Sequence, residues 1–92
     1  MKLGRVRQQP NERLSYTVHY AGALPPGDEL DFVVVCSDPR GLLIDPIARL
    51  PDRARFWVTG GVSGQPYKVT VVAATKQGQM YEDELFFAIH DA

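Results

Sequence analysis

Hydrophobic and polar residues alternate along most of this chain, which is the pattern of strands that bury one face. From residue 13 to residue 20 the apolar side chains fall at every second position, as Leu14, Tyr16, Val18 and Tyr20. The same period recurs at residues 29–36, 53–59, 67–74 and 81–90. No stretch has the three- and four-residue apolar spacing of a long amphipathic helix. The pattern therefore predicts an all-β fold.

Turn-forming residues separate these stretches. Pro25-Pro26-Gly27 and Asp38-Pro39-Arg40-Gly41 supply fixed or positive φ angles, and residues 60–66 are rich in glycine. A short apolar run at 42–44, which Pro46 interrupts, is typical of an edge strand. Six short strands with frequent turns predict an antiparallel sandwich or barrel.

The N-terminal segment, residues 1–12, differs from the rest. It carries Lys2, Arg5 and Arg7, is closed by Pro10, and shows neither a strand nor a helix period. We expect a mobile basic arm followed by one domain at 13–92, since 92 residues suffice for one modest core. Alternatively, the arm adds as a strand to the exposed sheet edge of a neighbour.

Charge and cysteine content narrow the classes of function. The net charge is −1, so no overall basic field would hold a nucleic acid, and no nucleic-acid partner is expected. Cys36 is the one cysteine, which excludes an internal disulfide, and its register with Phe32 and Val34 predicts a buried thiol. The chain has no apolar run of signal-peptide or membrane-span type, so we expect a soluble protein without a membrane partner.

Candidate catalytic and metal-binding residues are few. The two histidines, His19 and His90, lie far apart in the sequence, and no catalytic or phosphate-binding spacing is present. Acidic residues cluster at 28–31 and 82–84, where the alternatives are solvated side chains and a calcium site. We predict no enzyme activity, no catalytic or metal site and no cofactor.

The segment Gly64-Gln65-Pro66-Tyr67-Lys68-Val69 resembles the tyrosine corner of immunoglobulin-like domains, in which a Tyr hydroxyl bonds back to the preceding loop. The wider pattern is similar to a family of small immunoglobulin-like structural proteins encoded among the virion genes of tailed bacteriophages and prophages. The residues that carry this resemblance are 12–18, 24–30 and 56–61, with Gly64, Tyr67, Val69 and Thr70.

The resemblance implies an antiparallel immunoglobulin-like β-sandwich of six to seven strands. It also implies a non-enzymatic phage or prophage accessory protein that binds capsid or tail proteins, first in the host cytoplasm during assembly and then in the virion. The family motifs are turn and core residues, so they carry the fold more directly than the activity.

Apolar residues in the register opposite the predicted core suggest where binding occurs. They indicate that part of one sheet has two apolar faces, which either the monomer itself covers or a partner covers. The predicted protein interface consists of Trp57, Phe86, Arg55, Val33 and Val35. A homo-oligomer is compatible with this surface. The alternative function is a carbohydrate or cell-surface binding module that stacks sugars on Trp57 and exposed tyrosines.

Overall fold

The computed structural model describes residues 2–91, which form seven β-strands and no helix. The strands are β1 (Lys2–Gln8), β2 (Arg13–His19), β3 (Leu30–Asp38), β4 (Leu42–Arg49), β5 (Arg53–Gly60), β6 (Pro66–Thr75) and β7 (Met80–Ile89). The predicted all-β fold is therefore confirmed.

The strands form two sheets that pack face to face as a β-sandwich. One sheet has the order β1-β7-β6-β3 and the other has the order β2-β5-β4. All pairs are antiparallel except β1 with β7, which is parallel and corrects the purely antiparallel expectation. The orders β2-β5-β4 and β7-β6-β3 match the B-E-D and G-F-C strands of immunoglobulin domains. This match supports the immunoglobulin-like assignment, which stays a prediction.

The core consists of the inward-facing residues of both sheets. Its largest apolar members with almost no exposure are Phe56, Phe87, Leu30 and Ile89. The Tyr16 ring meets Phe87 edge to face, with 5.1 Å between ring centroids, and thereby joins the two sheets. Because side chains alternate along a strand, each core residue leaves its neighbours on the outer face.

The N-terminal segment forms strand β1 on the edge of the four-stranded sheet, where the sequence predicts a mobile arm. It adds to the chain's own sheet, beside β7. Its last residue, Gln8, is 1% exposed and bonds to residues on β5 and β2. Sequence periodicity gave no sign of this strand, because backbone pairing and one buried amide hold it.

From Phe32 onward, strand β3 turns toward the core the face that the sequence predicts to be outside. Its pairing with β6 shifts register between Leu30 and Phe32, where a β-bulge lies. One extra residue reverses every side chain that follows it. Val33 and Val35 consequently pack against the core, whereas Phe32 and Cys36 are exposed, so the prediction of a buried Cys36 is wrong.

The tyrosine corner has the predicted geometry. The Tyr67 hydroxyl accepts a hydrogen bond of 3.0 Å from the backbone N–H of Val62, five residues upstream. Gly61 lies against the Tyr67 ring with φ of +95°, a conformation that favours glycine. This corner fixes the β5–β6 connection at one end of the sandwich.

Candidate protein-binding surfaces

The outer face of the three-stranded sheet carries a tryptophan between two arginines. Trp57 points away from the core because its neighbours on β5, Phe56 and Val58, are fully buried. The guanidinium carbons of Arg13 and Arg55 lie 4.5 Å and 5.1 Å from the centroid of the Trp57 ring system. Both arginines are exposed and Trp57 is half-buried. We call Arg13, Arg55 and Trp57 the arginine–tryptophan face.

Phe86, the second predicted anchor, lies on the other side of the molecule. It projects outward from β7 in the four-stranded sheet, since Leu85 and Phe87 face the core. The Lys2 ammonium lies 5.3 Å from the centroid of its ring. Phe86 also lines a shallow groove of about 290 Å³ with Lys2, Arg5 and other residues of β1, β6 and β7. The structure thus brings Trp57 and Arg55 together and separates them from Phe86.

Val33 and Val35 do not belong to an outer surface. Both are half-buried and pack against the core cluster because of the β3 bulge. The structure therefore corrects the outward orientation that the sequence predicts for Val33 and Val35, and their part in a protein interface stays a prediction.

An apolar patch occupies the outer face of the four-stranded sheet, and none of its residues belongs to the interface that the sequence predicts. Phe32 and Val34 are 50% and 52% exposed, and Met80 is 67% exposed. Cross-strand pairing sets Phe32 beside Ala74 and Ala74 beside Met80, while Val34 pairs with Val72. We call these five residues the apolar patch. Its signal was in the sequence, but Phe32 and Val34 were assigned to the core.

The two histidines lie far apart, and the acidic residues near the start of β3 already bind groups of the protein. His19 is the last residue of β2, whereas His90 follows β7. The backbone N–H of His90 donates a hydrogen bond to the Gln8 carbonyl, near the first residue of β2, so the two histidines lie at opposite ends of this strand. Asp28 accepts hydrogen bonds from the backbone N–H groups of Glu29 and Gln77. Glu29 pairs with Lys76, which lowers the pKa of the Glu29 carboxyl.

The described residues contain neither a cluster of metal-binding side chains nor a membrane-spanning helix. In residues 2–91 no group of three or more His, Cys, Asp or Glu side chains is arranged to hold a metal ion. The same residues contain no helix with the length and apolarity needed to cross a bilayer.

Fold and surfaces together define a small β-sandwich with two outer faces of different chemistry. One is cationic and aromatic, and the other includes an exposed apolar patch. A family model described as "Podophage GP4 fiber-tail adaptor protein gp77" matches residues 8–88. The chain therefore belongs to this family and is a small structural protein of the phage virion. No curated protein matches it.

The family match confirms the resemblance to phage structural proteins that the sequence showed. The match begins at Gln8 and ends at Ala88, so it includes the last residue of β1, all of β2 to β6, and β7 except its last residue.

Proposed function

We propose that this protein is a non-enzymatic adaptor that attaches a fibre to the tail of a podophage by protein–protein contacts. The observation that carries the proposal is the pair of outer faces on opposite sides of one sandwich. An adaptor must contact two structures at once, and two unlike faces allow it to do so. The family description supports the tail over the capsid as its location.

The residues of both faces are those that dominate protein interfaces. Tryptophan and arginine are enriched at the energetic centres of interfaces, and exposed apolar patches mark binding sites on monomers. Phe32 and Val34 lie two residues apart on β3 and point to the same side of the sheet, so a partner that covers one would also cover the other. Assembly takes place in the host cytoplasm under this proposal, before the particle is released.

The alternative of a sugar-binding module has less support. Sugar stacking needs an open aromatic ring, but the Arg13 and Arg55 guanidinium groups lie within 5.1 Å of the centre of the Trp57 rings. Tyr67 is 3% exposed, so it offers no platform.

The test uses phage particles produced without this protein, to which the purified chain is added back. Quantitative mass spectrometry then measures the copies of fibre protein and of this chain per particle. We expect the wild-type chain to restore fibres, and Trp57→Ala and Phe32→Ser each to reduce fibre attachment at least about tenfold. Both substitutions change outward side chains, so each variant should keep a cooperative thermal melt.

Val62→Ala is the matched control, because Val62 is 66% exposed in the β5–β6 connection and belongs to neither face. It should restore fibres as the wild type does. Full fibre occupancy in particles that lack this chain would contradict the adaptor proposal. Loss of the cooperative melt in Trp57→Ala would instead show that Trp57 supports the core.

A further inference from the structure

The outer face of the three-stranded sheet has a local excess of positive charge although the whole chain has a net charge of −1. The outward positions of β2 and β5 hold three arginines and no carboxylate: Arg13, Ser15, Thr17 and His19 on β2, and Arg53, Arg55, Trp57 and Thr59 on β5. On the third strand, Asp45 is exposed in the irregular segment between Ile44 and Ile47.

Two of the three arginines have no ionic partner within the described part of the chain. Arg53 pairs with Asp52 at 3.5 Å, whereas neither Arg13 nor Arg55 has a carboxylate oxygen within 4.0 Å. Arg55 donates one hydrogen bond, to the Ser15 hydroxyl at 3.0 Å. A guanidinium has five N–H donors, so most donors of Arg13 and Arg55 are available to another molecule.

Stacking on Trp57 restrains both guanidinium groups. Cation–π contact with the indole holds each planar group near one position while its N–H edges stay accessible. A restrained guanidinium loses less side-chain entropy when it binds, and its forked donors match the two oxygens of a carboxylate. The restrained guanidinium groups of Arg13 and Arg55 therefore favour binding of carboxylates.

We propose that the arginine–tryptophan face binds an acidic protein surface, whose carboxylates pair with Arg13 and Arg55 while Trp57 is buried between them. This inference rests on the proposed adaptor function and names the chemistry of one of the two partners. Charge complementarity is its basis. The acidic surface belongs to the fibre or to the tail, and cross-linking identifies which.

Two other occupants fit the face less well. Nucleic acid needs a longer basic track and an open ring for base stacking, whereas here two arginines cover a half-buried Trp57. A second copy would have to offer an acidic surface, but the outer side of the four-stranded sheet has mixed charge, because its carboxylates Asp38, Glu82 and Glu84 lie among Lys2, Arg5, Arg7 and Lys68. Both occupants become outcomes of the test.

The experiment adds the purified full-length chain to particles lacking it and measures retained copies by mass spectrometry at 50 and 200 mM salt. We expect Arg55→Gln to lower retention at least about tenfold, because a desolvated carboxylate would lose its partner. Arg55→Lys should retain part of the binding. Arg40→Gln, in the exposed β3–β4 turn, makes the same change in net charge and should behave as wild type. Wild-type retention should fall several-fold at the higher salt concentration.

A zero-length carbodiimide cross-linker then identifies the partner. Arginine does not react with it, but Arg13→Lys places an amine on the same face, which should couple to a carboxylate of a fibre or tail protein. Equal retention of the Arg55→Gln and wild-type chains, with no salt dependence, would overturn the acidic-partner inference and leave the adaptor function standing. Failure of the wild-type chain to bind the particles would overturn the adaptor function itself.

Two controls address the other occupants directly. Gel-shift titration with a double-stranded DNA oligonucleotide should show no binding that Arg55→Gln abolishes; such binding would assign the face to nucleic acid. Sedimentation of the purified chain should show no self-association that depends on Arg13 and Arg55. A salt-sensitive oligomer lost in Arg55→Gln would assign the face to a second copy and refute the inference.

Discussion

Gln8 holds β1 onto the sandwich, and its replacement tests how the two sheets are joined at this edge. Its Nε2 donates to the carbonyl oxygens of Val58 at 2.8 Å and Glu12 at 3.0 Å. Its Oε1 accepts a 2.6 Å hydrogen bond from the Tyr16 hydroxyl. Burial and the nearby Glu12 carboxylate raise the pKa of Tyr16, so this hydroxyl remains a donor throughout the neutral range.

The magnitude follows from the groups that Gln8→Leu would leave without partners. Leucine fills a similar volume but makes none of the three hydrogen bonds, and a buried polar group without a partner costs about 1 to 3 kcal/mol. The Val58 carbonyl lies fully buried and the Tyr16 hydroxyl partly buried. We therefore expect the free energy of unfolding to fall by about 2 to 4 kcal/mol. In a domain of this size the loss corresponds to about 10 to 25 °C in Tm.

The assay is urea denaturation, followed by the fluorescence of Trp57, with Gln9→Leu as the matched control. Gln9 is exposed and adjacent, so the same chemical change there should alter stability by less than about 0.5 kcal/mol. Adding Tyr16→Phe to Gln8→Leu should recover about 1 kcal/mol, because one orphaned hydroxyl is removed. Equal denaturation midpoints for Gln8→Leu and Gln9→Leu would refute the reasoning.

Two further predictions concern the tyrosine corner and alkaline pH. In thermal melts, Gly61→Ala should destabilise the protein by at least about 1 kcal/mol more than Gly64→Ala. Both glycines have positive φ, so the backbone strain is similar. The new Cβ at Gly61 would lie 2.9 Å from Leu42 Cδ2, whereas the space at Gly64 is open. Equal melting temperatures would contradict this packing. Burial and Asp83 raise the pKa of Tyr20 above its ordinary 10.0. The folded state therefore holds this proton more tightly, and stability should be complete below about pH 10 and fall as pH rises further. Tyr20→Phe should flatten that fall between about pH 10 and 12; an unchanged slope would exclude Tyr20 as its source.

The sequence correctly predicted which face of a strand is buried where only one of its two alternating sets of side chains is apolar, or where its pairing is regular. On β5 the inward residues Ala54, Phe56 and Val58 alternate with Arg55 and Trp57, which leaves one possible orientation. The Trp57–Arg55 pair was therefore found from the sequence.

Strand β3 shows why alternation failed elsewhere. Phe32 and Val34 in one register, and Val33 and Val35 in the other, are all apolar, so hydrophobicity cannot select the buried face. The bulge between Leu30 and Phe32 selects the buried face. Because the bulge arises from the pairing of β3 with β6, the sequence of β3 alone does not reveal it. Gln8 poses the same problem, because only its partners on β2 and β5 distinguish a buried glutamine from a surface one.

The separation of the two outer faces has a consequence for how a proposed adaptor would work. Fully buried side chains such as Phe56 fill the layer between Trp57 on one face and Phe32 on the other, and neither anchor contacts the other. Distant sites without shared partners contribute additively to free energies. Under the proposed function, the sandwich would hold an acidic partner on one side while the apolar patch holds a second partner independently. Because the two faces differ in chemistry, such an adaptor would have a single orientation between its two partners, which a symmetric surface could not impose.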